Sequence, residues 1–166
     1  MNSGSIVFDS VARRVAQPEI YLAVLAFAFH TAWEFLQDPL YAGLSTRPHS
    51  EVRAICLRAA GGDLLITFIA FYAAALVAKS RTWIHPTNFA AVVVWFATGI
   101  LITIALEWRA AATGTWSYGP SMPIVPVLHV GLAPIAQWIV IPILLMLFLS
   151  HCVIAADARK GRSYDR

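Results

Sequence analysis

Charge is what this sequence has least of. Only 13% of its 166 residues are charged and 59% are hydrophobic, where a soluble domain carries about 25% charged residues. That shortage argues against an ordinary soluble domain, and a mean hydropathy of +0.68 points the same way. Basic patches with interleaved aromatics are missing as well, so the net charge of +3 does not describe a nucleic-acid surface. Cysteine is nearly absent. Cys56 and Cys152 are expected near opposite faces of a membrane, which rules out an intrachain disulfide. The opening segment, MNSGSIVFDSVARRVAQPEI, lacks the cleavage pattern of a signal peptide, and the apolar run behind it carries His30 and Glu34.

What is present is a set of long apolar runs. Crossing a hydrocarbon core of roughly 30 Å takes about 20 helical residues, and residues 19–37, 54–78, 89–107 and 127–149 each satisfy that. The expected fold is all-α, an integral membrane four-helix bundle over residues 19–150. A segment covering 1–18 precedes it and a basic tail covering 151–166 follows. Asp38-Pro39 closes the first helix, because the residue before proline leaves helical geometry. Gly61-Gly62 reads as a place for close helix contact, and Pro134 and Pro142 as bends in the fourth helix.

Lysine and arginine bias sets the expected orientation. Arg13, Arg14, Lys79, Arg81, Arg159, Lys160, Arg162 and Arg166 fall on one side, and Arg47, Arg53 and Arg109 on the other. Both termini are therefore expected in the cytoplasm; the chain also resembles small bacterial integral membrane proteins, which implies a bacterial inner membrane. On that reading His30, Glu34, Asp38, Arg58, Asp63, Glu107, Arg109 and His129 all lie in the outer half.

A charged group at bilayer depth costs at least about 2.5–3.5 kcal/mol, so such residues face a bundle interior or a wet cavity. His30 and Glu34 share a helix face by their spacing of four. Asp63 shares one with Thr67, and Glu107 shares one with Thr103 and Gly99. These faces are expected to enclose a cavity open to the outer side. His129 is placed in the first turn of the fourth helix. Carboxyls held in unlike surroundings can split into one protonated and one ionised group, which acid–base chemistry requires. Trp33, Trp108, Trp116, Tyr118 and Trp138 stand near enough in sequence to offer π faces to a cation, or to form an interfacial belt. The plainer reading of each polar side chain is interhelical hydrogen bonding, worth about a kcal/mol or less.

The order of features resembles the EXPERA-domain family of four-helix membrane proteins, which includes a sterol double-bond isomerase. The residues concerned are His30-x-x-x-Glu34, Asp63 in the next helix, Glu107 near the end of the third, and Trp138 four before Pro142. The resemblance implies proton transfer to and from a carbon–carbon double bond. His30, Glu34 and Asp63 would handle the proton and Trp138 would face the cation, with Glu107 completing the acidic set.

The leading expectation is an isomerase or cyclase acting on an isoprenoid or sterol-like lipid. Its rival is a lipid-binding or accessory protein in which Trp33, Thr67, Thr103, Trp116, Tyr118, His129 and Trp138 line the ligand. A metal site is the third reading, with His30 and Glu34 at i, i+4 joined by Glu107, Asp63 or His129. It is weakened because bundle carboxylate sites use Glu-x-x-His pairs in duplicate, and here a single pair stands at the other spacing. No cofactor is implied. The expected partners are the bilayer and a membrane lipid or isoprenoid, with a homo-oligomer left open.

Overall fold

A computed structural model describes the backbone of residues 18–84 and 87–164, and the side chains of residues 19–84 and 87–150. The expectations resting on Arg13, Arg14, Arg159, Lys160, Arg162, Arg166 and Cys152 concern residues outside the described side chains. Four long helices are present among the described residues: α1 (Pro18–Gln37), α2 (His49–Ala78), α3 (Phe89–Thr113) and α4 (Leu132–Tyr164). All four are long and apolar enough to cross a membrane. The span holding His30 and Glu34 has a mean hydropathy of 1.3, against 1.8 to 2.4 for the others.

The helices pack in ring order, α1 beside α2, α2 beside α3, α3 beside α4, and α4 back against α1. Short connections leave successive helices antiparallel. One end of the bundle gathers the 38–48 loop and a two-stranded ribbon, β1 (Ile124–Val125) and β2 (Val130–Gly131), paired antiparallel. We call it the ribbon end. An isolated bridge between Tyr41 and Tyr118, with backbone bonds Gly119 N–H to Leu40 O (2.8 Å) and Ala42 N–H to Ser117 O (2.9 Å), joins the two loops.

Helix boundaries follow local chemistry. Asn88 caps α3 by accepting from the Ala91 N–H at 3.1 Å. Gly114, at φ 66, closes α3 in the left-handed region that glycine adopts without strain. Three boundaries differ from the expected ones. Helix α2 starts at His49, five residues before Ala54, so His49 is a helical residue. Helix α3 runs past Glu107 to Thr113, and α4 begins at Leu132 because residues 127–131 belong to the ribbon. The α4 backbone also stays helical to Tyr164, through most of the segment expected to be a separate tail.

The apolar core fills the half away from the ribbon. Leu22, Phe71, Trp95, Ile141, Leu145 and Leu149 are buried there, and the α2–α3 connection tucks Trp83 and Ile84 into it. Trp83 meets Trp95 edge-on, with ring centroids 5.1 Å apart, and lies 5.9 Å from Phe71. Arg81 clasps Glu19 across this mouth. An aromatic plug therefore closes the end opposite the ribbon.

Close helix contact is made at Gly99, not at Gly61-Gly62. A Cβ at Gly99 would fall 2.1 Å from the Trp138 ring, whereas Gly61 and Gly62 are exposed with nothing within 4 Å of an added Cβ.

Candidate functional site

Two polar groups occupy the ribbon-side half, and both draw on several helices. The first is centred on His30, whose ring is fully buried. Its Nε2 lies 3.0 Å from Thr67 Oγ1, and Thr67 donates onward to the Asp63 backbone carbonyl at 2.8 Å. Its Nδ1 lies 2.8 Å from Gln137 Nε2. That amide also donates to Asp63 Oδ2 at 2.8 Å. The ring of bonds closes as Asp63–Thr67–His30–Gln137–Asp63, across α1, α2 and α4. An imidazole that donates from Nε2 and accepts at Nδ1 satisfies every member.

Glu34 sits one turn along α1 from His30. Gln37 donates to its Oε1 at 2.9 Å, and Trp33 Nε1 in turn donates to Gln37 Oε1 at 3.1 Å. Asp63 and Gln137 are near enough to enter the electrostatic surroundings of the Glu34 carboxyl. Acids from α1 and α2 therefore stand near one another. Below them the Trp138 ring stands 5.4 Å from the His30 ring and lies against Gly99. Two buried polar atoms nearby, Trp138 Nε1 and Thr103 Oγ1, have no partner among the described residues.

The second group surrounds Glu107. Trp116 Nε1 donates to Oε2 at 2.9 Å, Tyr118 OH to the same atom at 2.7 Å, and Tyr41 OH reaches Oε1 at 3.5 Å. Burial pushes both phenols above their ordinary value, and the Glu107 carboxylate pushes them further. They stay protonated and donate. A cavity of about 240 Å³ lies on this side, lined by Glu107, Ala111, Gly114, Trp116, Ser117 and Tyr118. Glu107 lines that cavity, and its charge also enters the electrostatic surroundings of Glu34 and Asp63.

The expected constellation is therefore brought together in part. His30, Asp63 and Thr67 are joined in one ring of bonds, Glu34 lies nearby with Trp33 attached to it through Gln37, and Trp138 packs beneath. Glu107 stands apart as the anchor of the loops, with Trp116 and Tyr118 bound to it. His129 is not in α4 and not in the chamber. It is exposed in the ribbon turn at φ 56, with Nδ1 2.8 Å from Pro126 O. Arg58 and Arg109 are both exposed, and the side chain that bonds to the Asp63 carboxylate is Gln137.

Sequence reasoning missed Gln137 and Tyr41. The first had a signal, a lone amide inside an apolar span. Tyr41 had none, since a loop side chain shows no periodicity. As for metal, no group of three or more His, Cys, Asp or Glu side chains is placed to hold an ion among the described residues.

No protein-family model matches this chain, and neither curated proteins nor solved structures match it significantly.

Proposed function

We propose that this chain is an integral membrane protein that transfers protons on an isoprenoid or sterol-like lipid. Glu34 and Asp63 are the proton-carrying pair, and both termini lie on the cytoplasmic side of a bacterial inner membrane. The observation carrying the proposal is the nearness of those two acids in a bundle interior, with Asp63 held by the Gln137 amide.

Helix lengths support a common depth. About 20 residues rise 30 Å. Counted from Ala78 that length reaches Ala59, next to Arg58, and counted from Phe89 it reaches Trp108. With Gln37 and Arg58 at the outer boundary, His30 and Asp63 both lie roughly 8–10 Å beneath it by the helical rise. Exposed Leu36, Leu65, Leu76, Val93 and Leu101 fit an acyl-chain environment. The Trp83 plug closes the inner mouth, which favours chemistry in one leaflet over passage through the bundle.

Two carboxyls near one another in an apolar interior do not readily both ionise, so one of them keeps a proton. The protonated member delivers it to one alkene carbon, forming a C–H bond and leaving a carbocation at the other. A carboxylate then removes a proton from the neighbouring carbon, and that electron pair makes the new double bond. Atoms and charge balance with no co-reactant. Trp138 and Trp33 offer π faces to the cation. His30 has both nitrogens engaged, so it positions Asp63 through Gln137 and does not carry the proton itself. The 240 Å³ cavity is smaller than the roughly 300–1,000 Å³ of drug-sized sites, so it admits one end of a lipid.

The test is deuterium uptake. Protein in nanodiscs with an isoprenoid extract in D2O should incorporate deuterium into the bound lipid, and Glu34→Gln should not while remaining folded. A second reading, lipid binding without turnover, is favoured by how completely the His30 ring of bonds is satisfied. Lipid that co-purifies and leaves the wild-type protein without deuterium would decide for it.

A further inference from the structure

The ribbon carries an apolar tip that neither the acidic pair nor the Glu107 cluster uses. Val127 is 90% exposed and Ile124 is 44% exposed, and they sit beside Trp108, which is 54% exposed. A solvated hairpin tip is normally polar, and exposed carbonyls there are satisfied by water. Here the protein supplies the donors. Val125 O accepts from the His129 N–H at 2.8 Å, Pro126 O lies 2.8 Å from His129 Nδ1, and Leu128 O accepts from Trp108 Nε1 at 2.7 Å. Irregular backbone is tolerated at membrane depth only when its polar groups are satisfied in this way.

The third of those bonds also fixes the height of the tip. Trp108 stands about 20 residues along α3 from Phe89, at the level where the helix has risen roughly 30 Å. A tip tied to the Trp108 indole is therefore held at the rim of the bundle and does not project beyond it. Its exposed apolar side chains continue the exposed face of α3 made by Leu101 and Leu106.

We infer that the β1–β2 ribbon is a membrane-docking element whose tip, Val127 with Ile124, inserts among the lipids at the outer boundary, pinned there by Trp108. This rests on the membrane-spanning reading above. Docking fixes the wall of the Glu107 cavity, because Tyr118, Trp116 and the ribbon belong to one connection between α3 and α4. A lipid arriving from the side then meets an apolar surface beside α3 before it meets water.

Depth-dependent quenching tests it in the full chain. On a Cys56→Ala, Cys152→Ser background, Val127→Cys is labelled with the environment-sensitive fluorophore NBD and the protein is placed in phosphatidylcholine vesicles. The label should lose most of its emission to lipids with a nitroxide near the head of the acyl chain, and little to aqueous iodide. Iodide quenching without lipid quenching overturns the inference, and so does protection from both, which would place a second copy of the chain on the tip. Leu101→Cys, midway along α3, is the control for the wider reading. If its label also escapes lipid nitroxides, the spanning arrangement itself fails; if it alone is quenched by lipid, only the ribbon proposal fails. Trp108→Phe keeps the ring and removes the donor, and should move the Val127 label toward iodide. Unchanged quenching in that variant would overturn the pinning role.

Discussion

Gln137 does more for the arrangement of the polar interior than any residue singled out for chemistry. One amide nitrogen serves His30 Nδ1 and Asp63 Oδ2 at 2.8 Å each. Replacing it with Leu takes this donor from the buried His30 Nδ1 and the partly buried Asp63 Oδ2, and an unsatisfied buried acceptor costs about 1–3 kcal/mol. Interhelical bonds in membranes average nearer about 0.6 kcal/mol, so we expect a loss of about 1 kcal/mol, read as an earlier unfolding midpoint in a denaturing-detergent titration. An unchanged midpoint would mean that the ring of bonds holds nothing. Gly99 gives the opposite kind of test. A methyl group there would overlap the Trp138 ring at 2.1 Å, and overpacking costs about 1–3 kcal/mol. Gly99→Ala should therefore lower thermal stability, whereas Gly61→Ala, in open space, should not. Equal effects would contradict the packing described.

At the scale of elements, the two loops at the ribbon end depend on one carboxylate. Glu107 takes Trp116 and Tyr118 on one oxygen and Tyr41 on the other, tying the 38–48 loop to the 114–131 connection. Glu107→Ala should raise amide hydrogen exchange in both loops together and leave the plug around Trp83 and Trp95 unchanged. Exchange rising in only one loop would show that the backbone bonds at Leu40 and Gly119 suffice. The phenols add a pH dependence. Both are raised above the ordinary value of about 10, so the folded chain keeps protons that the unfolded chain releases. Their contribution is complete below about pH 10 and is lost as pH rises toward the folded values. A Tyr41→Phe, Tyr118→Phe double variant should flatten that alkaline decline; an identical slope would assign it to other groups.

For the whole molecule, orientation is the property most open to direct measurement. Ser45, in the 38–48 loop, and Ser80, in the α2–α3 connection, lie at opposite ends of the bundle. With the native cysteines replaced, Ser45→Cys should react with an impermeant maleimide on intact cells, and Ser80→Cys only after permeabilisation. The reverse pattern would invert the assignment drawn from lysine and arginine bias and move the acidic pair to the cytoplasmic leaflet. The division of the bundle into a polar ribbon-side half and an aromatic opposite half would stay as it is. The side of the membrane that presents the Glu107 cavity would change.

How much of this was legible in advance depends on whether a property is summed along the chain or decided between segments. Four apolar spans, and the similar depth of His30, Glu34 and Asp63, follow from hydropathy and a fixed rise per residue, and both can be counted locally. Inward faces such as Asp63 with Thr67, or Gly99 with Thr103 and Glu107, follow from helical spacing in the same way. Spacing does not fix how far each helix is rotated about its own axis or where a loop returns. Those are set by contacts across the bundle: Trp138 seated on Gly99, Gln137 between His30 and Asp63, and Glu107 closed by aromatic donors from two loops. The same contacts left Arg58 and His129 outside and sent residues 127–131 into a ribbon. The sequence determined which chemical groups this protein places within an apolar bundle; the packing of helices and loops alone decided which of those groups touch.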